Sequence, residues 1–225
     1  MFGLDTQLAH LSDGTTLLLV LAVAGVLGLR HASDPDHLAA VTTLVAGEDA
    51  GRARRAGRLG LIWGSGHATA LFAFGVPIVL YRSYLPAPVE SGAETAVGIM
   101  IVALGAWLLV RWRRGVFKAH AHPRARGPVQ AYAIGLVHGT GGSAGVGVLL
   151  LASIHGRGLA LAALGLFAVC TAVSMALLST GFGLTLGTRF ARRSFDVLAP
   201  SLGLASAAFG VWYALGAQGV VPYVF

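Results

Sequence analysis

Arg30-His31-Ala32-Ser33-Asp34-Pro35-Asp36-His37 decides how this chain is read: two imidazoles and two carboxylates fall within seven residues. An apolar run from Thr15 to Leu29 leads into the stretch, and a second, Leu38 to Ala46, leaves it. Ionisable side chains inside apolar spans are costly, and where they occur they usually carry function. Pro35 has no amide proton and disfavours helix at Asp34, which argues against one straight helix through the stretch. Ser33 or Asp34 as N-cap, with Pro35 in the first helical position, starts a new helix instead. The expectation is a broken helix, with His31 before the break and Asp36 and His37 just after it. Length agrees: the residues from 15 to 46 would reach about 48 Å as one helix, against a hydrocarbon core of roughly 30 Å.

Composition sets the class. Of 225 residues, 56% are hydrophobic and 11% charged; soluble domains carry about twice that charge fraction. The 32 glycines suit close helix contacts in lipid. The net charge of +7 raises the question of nucleic acid. The basic residues sit in short loops between apolar runs, so membrane orientation accounts for them and no nucleic-acid partner is expected. Cys170 is the single cysteine, which excludes an intrachain disulfide. Asp5 and Asp13, with no Lys or Arg before Arg30, do not form the pattern of a signal or transit peptide.

Six apolar segments are long enough to span a bilayer, at roughly 15–46 (broken at 32–35), 59–81, 95–112, 129–153, 159–182 and 197–217. Loop 47–58 carries Arg52, Arg54, Arg55 and Arg58; loop 113–128, with the preceding helix end, carries Arg111, Arg113, Arg114, Lys118, Arg124 and Arg126; loop 183–196 carries Arg189, Arg192 and Arg193. Only Arg82 and Arg157 fall in the second and fourth loops. By the positive-inside rule the three basic loops face the cytoplasm and both termini face outward, in a multi-pass protein of the cytoplasmic membrane.

The chain also repeats itself. Gly28-Leu29-x-His31 returns as Gly135-Leu136-x-His138, and Gly60-Leu61 as Gly165-Leu166. Gly98, Gly105 and Trp107 return as Gly203, Gly210 and Trp212. These matches lie in three successive helix pairs at offsets of 105 to 107 residues. A unit of three spans is inserted upside down when repeated. The expected fold is therefore all-α, one transmembrane domain over 1–225, with repeat 1 at 15–112, a cytoplasmic loop at 113–128 and repeat 2 at 129–217. Inverted repeats with interrupted helices are a transporter architecture with a mid-membrane site. His138-Gly139-Thr140-Gly141-Gly142-Ser143 is expected to interrupt the fourth segment in register with the first.

Four of the eight histidines, His31, His37, His67 and His138, lie inside apolar spans. At about 1.5 Å per residue, His67 and His138 fall roughly 12 and 13 Å from the cytoplasmic ends of their spans. Three spans thus put imidazole at one level. Imidazole with a carboxylate suits divalent nickel, cobalt, zinc or iron better than magnesium or calcium. The candidate metal ligands are His31, Asp36, His37, His67 and His138. Single membrane histidines often do no more than join helices by hydrogen bonds, a reading as good for His67 or His138 taken alone. Asp34 reads as an N-cap before a ligand. Ser65, Ser143, Thr171 and Ser174 read as helix-packing residues, and Met175 and Cys170 as space-fillers. His120 and His122 sit in a basic loop and read as solvated; His10 and His155 carry no signal.

His31-x4-Asp36-His37, with its Arg-His-Ala opening, resembles the His-x4-Asp-His signature of the nickel/cobalt transporter family. Gly64-Ser65-Gly66-His67-Ala68-Thr69 resembles the family's second histidine-bearing helix. His138-Gly139-Thr140-Gly141-Gly142-Ser143 resembles the His-Gly-x-x-Gly-Ser pattern of its six-helix branch, which includes urease-accessory-type membrane proteins. The resemblance covers most of the chain. It implies permeation of Ni²⁺ or Co²⁺ as cargo, with no permanently bound cofactor and with His31, Asp36 and His37 in the essential motif. The better-known permeases of the family have eight spans, and their acidic later-helix motifs have no clear copy here.

Two other functions compete. An accessory membrane protein that delivers nickel to a metalloenzyme assembly would use the same ligands, with metal-delivery proteins or further copies of itself as partners. An intramembrane hydrolase would use Ser143 as nucleophile, but it needs a histidine base facing the serine, and the sixth span has none. No G-x4-G-K-[ST] sequence is present for a nucleotide-driven pump within this chain. The expected function is transport, not catalysis.

Overall fold

The structure, a computed structural model, describes residues 2–46, 53–81, 86–115, 127–141, 154, 156–186, 188 and 195–222. Among these, the chain is helical without strands: α1 (Phe2–His31), α2 (Pro35–Ala46), α3 (Ala53–Tyr81), α4 (Ala87–Arg113), α5 (Pro128–His138), α6 (Arg157–Leu186) and α7 (Phe195–Ala217).

The expected break in the first segment is present. α1 ends at His31; the amide of Ser33 donates to the Arg30 carbonyl at 2.8 Å and that of Asp34 to the His31 carbonyl at 3.1 Å. The Asp34 carbonyl then accepts the first bond of α2, from the Leu38 amide at 3.0 Å. Asp34 therefore holds the N-cap position before Pro35. The two helices meet at a bend of 47°. α1 also reaches back to Phe2, well before the apolar run expected to begin at Thr15.

Four helices, α3, α4, α6 and α7, are each long and apolar enough to cross a membrane, and the bent α1–α2 pair makes five if counted as one span. The fourth expected span, 129–153, is described only as α5, whose 11 residues reach about 16 Å. Residues 142–153 lie outside the described residues. α5 ends where an interruption was expected: Gly139 caps it, its amide donating to the Gly135 carbonyl at 2.9 Å. The first basic loop is shorter than expected, because α3 begins at Ala53 and carries Arg54, Arg55 and Arg58 in its opening turns. A helix of 29 residues is about 44 Å long, more than a hydrocarbon core of roughly 30 Å requires. Lys118, His120, His122, Arg124, Arg126, Arg189, Arg192 and Arg193 lie outside the described residues.

Small residues set the helix packing. α3 lies antiparallel to α6, where a Cβ on Gly64 would meet Ala172 backbone at 2.7 Å and one on Gly183 would meet the Ala56 methyl at 2.7 Å. α4 lies antiparallel to α7: a Cβ on Gly98 would meet the Gly210 carbonyl at 2.9 Å, and one on Gly105 that of Gly203 at 2.6 Å. Both ends of this pair are tied. Trp112 Nε1 donates to the Asp196 carbonyl at 2.9 Å, and Gln218 Nε2 donates to Thr95 Oγ1 at 2.7 Å. α1 packs on α6, and α5 packs on α3. Ser174 and Thr171 are packing residues, as expected, with Ser174 Oγ donating across to the Leu29 carbonyl at 2.7 Å. Met175 fills the core and Cys170 is half-buried, also as expected. Leu18, Val26, Leu177, Leu184 and Leu204 are exposed, while the polar side chains His31, Asp36, His37, His67 and His138 are buried. Apolar outside and polar within is the distribution that a lipid solvent favours.

Candidate metal centre

Four helices deliver the five expected ligands to one place. His31 closes α1, Asp36 and His37 open α2, His67 sits midway along α3 and His138 closes α5. None is more than 4% exposed, so all five are removed from solvent. The break makes the first three converge. On an unbroken helix positions six apart would diverge, whereas here the rings of His31 and His37 lie 4.6 Å apart. α5 comes close because two glycines let it: a Cβ on Gly139 would meet the His67 carbonyl at 2.5 Å, and one on Gly135 the His67 amide nitrogen at 2.9 Å. That approach puts the rings of His37 and His138 4.3 Å apart, and those of His67 and His138 6.1 Å apart.

The contacts form two triads that share His37. One ligand atom from each of His31, His37 and His67 lies within 4.8 Å of the other two, and the same holds for Asp36, His37 and His138. Nε2 of His31 is 3.1 Å from Nε2 of His67. Asp36 accepts from His37 Nδ1 at 3.2 Å through one oxygen and from His138 Nε2 at 3.1 Å through the other. A buried carboxylate without such partners would be strongly destabilising. Three buried ring nitrogens, His37 Nε2, His67 Nδ1 and His138 Nδ1, have no hydrogen-bond partner among the described residues. Lone pairs left bare in a buried site are costly, and a divalent ion with preference for imidazole satisfies them.

Three features were not read from the sequence as parts of the site. The Trp63 ring lies 5.6 Å from those of both His37 and His138, and Phe167 lies 5.4 Å from His31. Both aromatic residues are buried, so the histidines have apolar neighbours on these sides. Trp63 precedes His67 by four residues, so helical spacing does place the two on one face. The Asp34 carboxylate, read as a cap before a ligand, approaches His31 Nδ1 at 3.3 Å. Ser65, read as a packing residue, is exposed and donates to the Ile62 carbonyl on its own helix. Ser143, the nucleophile of the hydrolase alternative, lies outside the described residues, as does His155.

No protein-family model matches the chain, and no solved structure does. The chain is 28% identical over 218 residues to the urease accessory protein UreH of Bacillus sp. (strain TB-90), a similarity that covers 89% of this chain and 92% of that protein. The chain is thus similar along nearly its whole length to a urease accessory protein.

Proposed function

We propose that the protein carries a divalent transition-metal ion, nickel or cobalt, across the cytoplasmic membrane through His31, Asp36, His37, His67 and His138. The observation that carries this reading is the pair of buried triads joined at His37. Neutral imidazoles replace hydration water without adding charge, and carboxylates offset the ion's charge in a low-dielectric site. A permeation site must also release its cargo. Two overlapping triads, each with three protein ligands, suit transient binding better than a closed four-ligand site.

The same reading includes six spans in two inverted three-helix repeats, with both termini outside. Packing supports it. A two-fold exchange of the repeats turns α1 on α6 into α5 on α3, and both contacts occur. Gly28 and Gly135, matched in the repeat, each approach a backbone on the second helix of the other half, at Phe167 and at Trp63. The matched glycines of α4 and α7 meet crosswise, Gly98 on Gly210 and Gly105 on Gly203, which is how self-complementary contacts pair.

A second reading, delivery of nickel to a metalloenzyme assembly, is favoured by the similarity to a urease accessory protein. Vesicles separate the two. Purified protein alone, reconstituted in liposomes, moves Ni²⁺ or Co²⁺ if it is a permease. If the wild type binds metal but moves none until the recipient assembly is supplied, delivery is the function.

A further inference from the structure

We infer that Asp34 is a positioning residue that sets His31 toward the ion, an inference that rests on the metal-site reading above. The Asp34 carboxylate stands at the helix break between two groups. Its Oδ2 lies 3.3 Å from His31 Nδ1, and its Oδ1 lies 3.8 Å from a guanidinium nitrogen of Arg30. The Arg30 side chain is 75% exposed and that of Asp34 10%, so the carboxylate bridges an exposed cation to a buried imidazole.

The consequence lies at the other side of the ring. A carboxylate facing Nδ1 accepts the proton held there, and a neutral imidazole then carries its lone pair on Nε2. Nε2 is the atom that His31 turns toward His67, at 3.1 Å. The same geometry recurs two residues on, where Asp36 accepts from His37 Nδ1 and His37 Nε2 is the nitrogen left bare. Metal-bound histidines commonly donate their second nitrogen to a carboxylate, which fixes ring orientation and raises ligand basicity. Asp34 therefore acts through His31 rather than on the ion. The break in the helix makes this possible, because Asp34 is three residues past His31 and sits at the N-cap, just before Pro35 opens α2.

The test is equilibrium binding of Co²⁺ to the full-length protein in detergent, for wild type, Asp34→Asn and Asp34→Ala, with thermal unfolding of the metal-free forms alongside. Asn keeps an acceptor oxygen and lacks the charge. Loss of such an outer carboxylate typically weakens metal binding about 10- to 100-fold. Asp34→Ala is expected to fall in that range and Asp34→Asn to recover part of the loss. At saturating Co²⁺ the visible absorption bands of all three should coincide, because the ligands are unchanged. Asp34→Ala binding as tightly as wild type overturns the inference and leaves the metal site standing. An Asn variant as weak as Ala overturns it too, leaving charge as the only contribution. Shifted bands at saturation would make Asp34 a ligand, which also overturns it. A wild type that binds no Co²⁺ overturns the metal-site reading, and this inference with it.

Discussion

His37 is where the two triads meet, and its replacement should matter most. With the wild type as reference, His37→Ala is expected to lower Ni²⁺ or Co²⁺ flux at least tenfold, the scale of about 1.4 kcal/mol of binding. His31→Ala and His67→Ala each remove a ligand from the first triad only, and His138→Ala from the second only. Each should leave measurable flux with weaker apparent affinity. If His67→Ala alone is silent, His67 serves helix packing and the opening motif stands without it. Binding should also depend on pH. Imidazolium has no lone pair, so affinity falls as protons compete for the ring nitrogens on going below the range near 6.5 where free imidazole titrates. Isothermal titration of metal in steps from about pH 7.5 to about pH 4 checks this; affinity unchanged across the whole range would exclude imidazole ligation. Much of the site was legible at this scale because ionisable residues stand out in an apolar chain. Asp34 was not, since an aspartate before a proline has a sufficient local explanation as a cap. Trp63 and Phe167 were hidden for the opposite reason: aromatic residues in apolar spans carry no signal of their own.

At the level of elements, the broken first helix was readable because Pro35 acts locally, through its missing amide proton and its restriction of Asp34. Helix ends were less readable. Apolar runs mark where lipid contact ends, whereas α1 and α3 continue through polar residues to Phe2 and Ala53. Helix proximity was legible only through glycines. A valine at Gly135 would force Cβ against the α3 backbone beside His67, and overpacking of this kind costs about 1–3 kcal/mol or more. Gly92, with open space around it in α4, gives the control: alanine there should stabilise by roughly 0.5–1 kcal/mol. Thermal unfolding in detergent should therefore separate Gly135→Val, with a lower midpoint, from Gly92→Ala. A Gly135→Val midpoint equal to wild type would contradict the α3–α5 approach.

The whole molecule is arranged so that polar groups cluster where no lipid reaches them. Its orientation follows from charge placement, which no contact inside the protein reports. In a Cys170→Ser background, Arg55→Cys should react with a membrane-impermeant maleimide only from the cytoplasmic side, and Gln218→Cys only from outside. The reverse pattern would sink the topology and the repeat inversion that depends on it. The central claim, that the shared His37 site conducts metal, is tested most directly by Ni²⁺ influx into liposomes containing only the purified protein, wild type against His37→Ala. The account predicts saturable influx for wild type and background influx for a His37→Ala protein that unfolds at an ordinary temperature. A folded His37→Ala that carries Ni²⁺ as fast as wild type would contradict it.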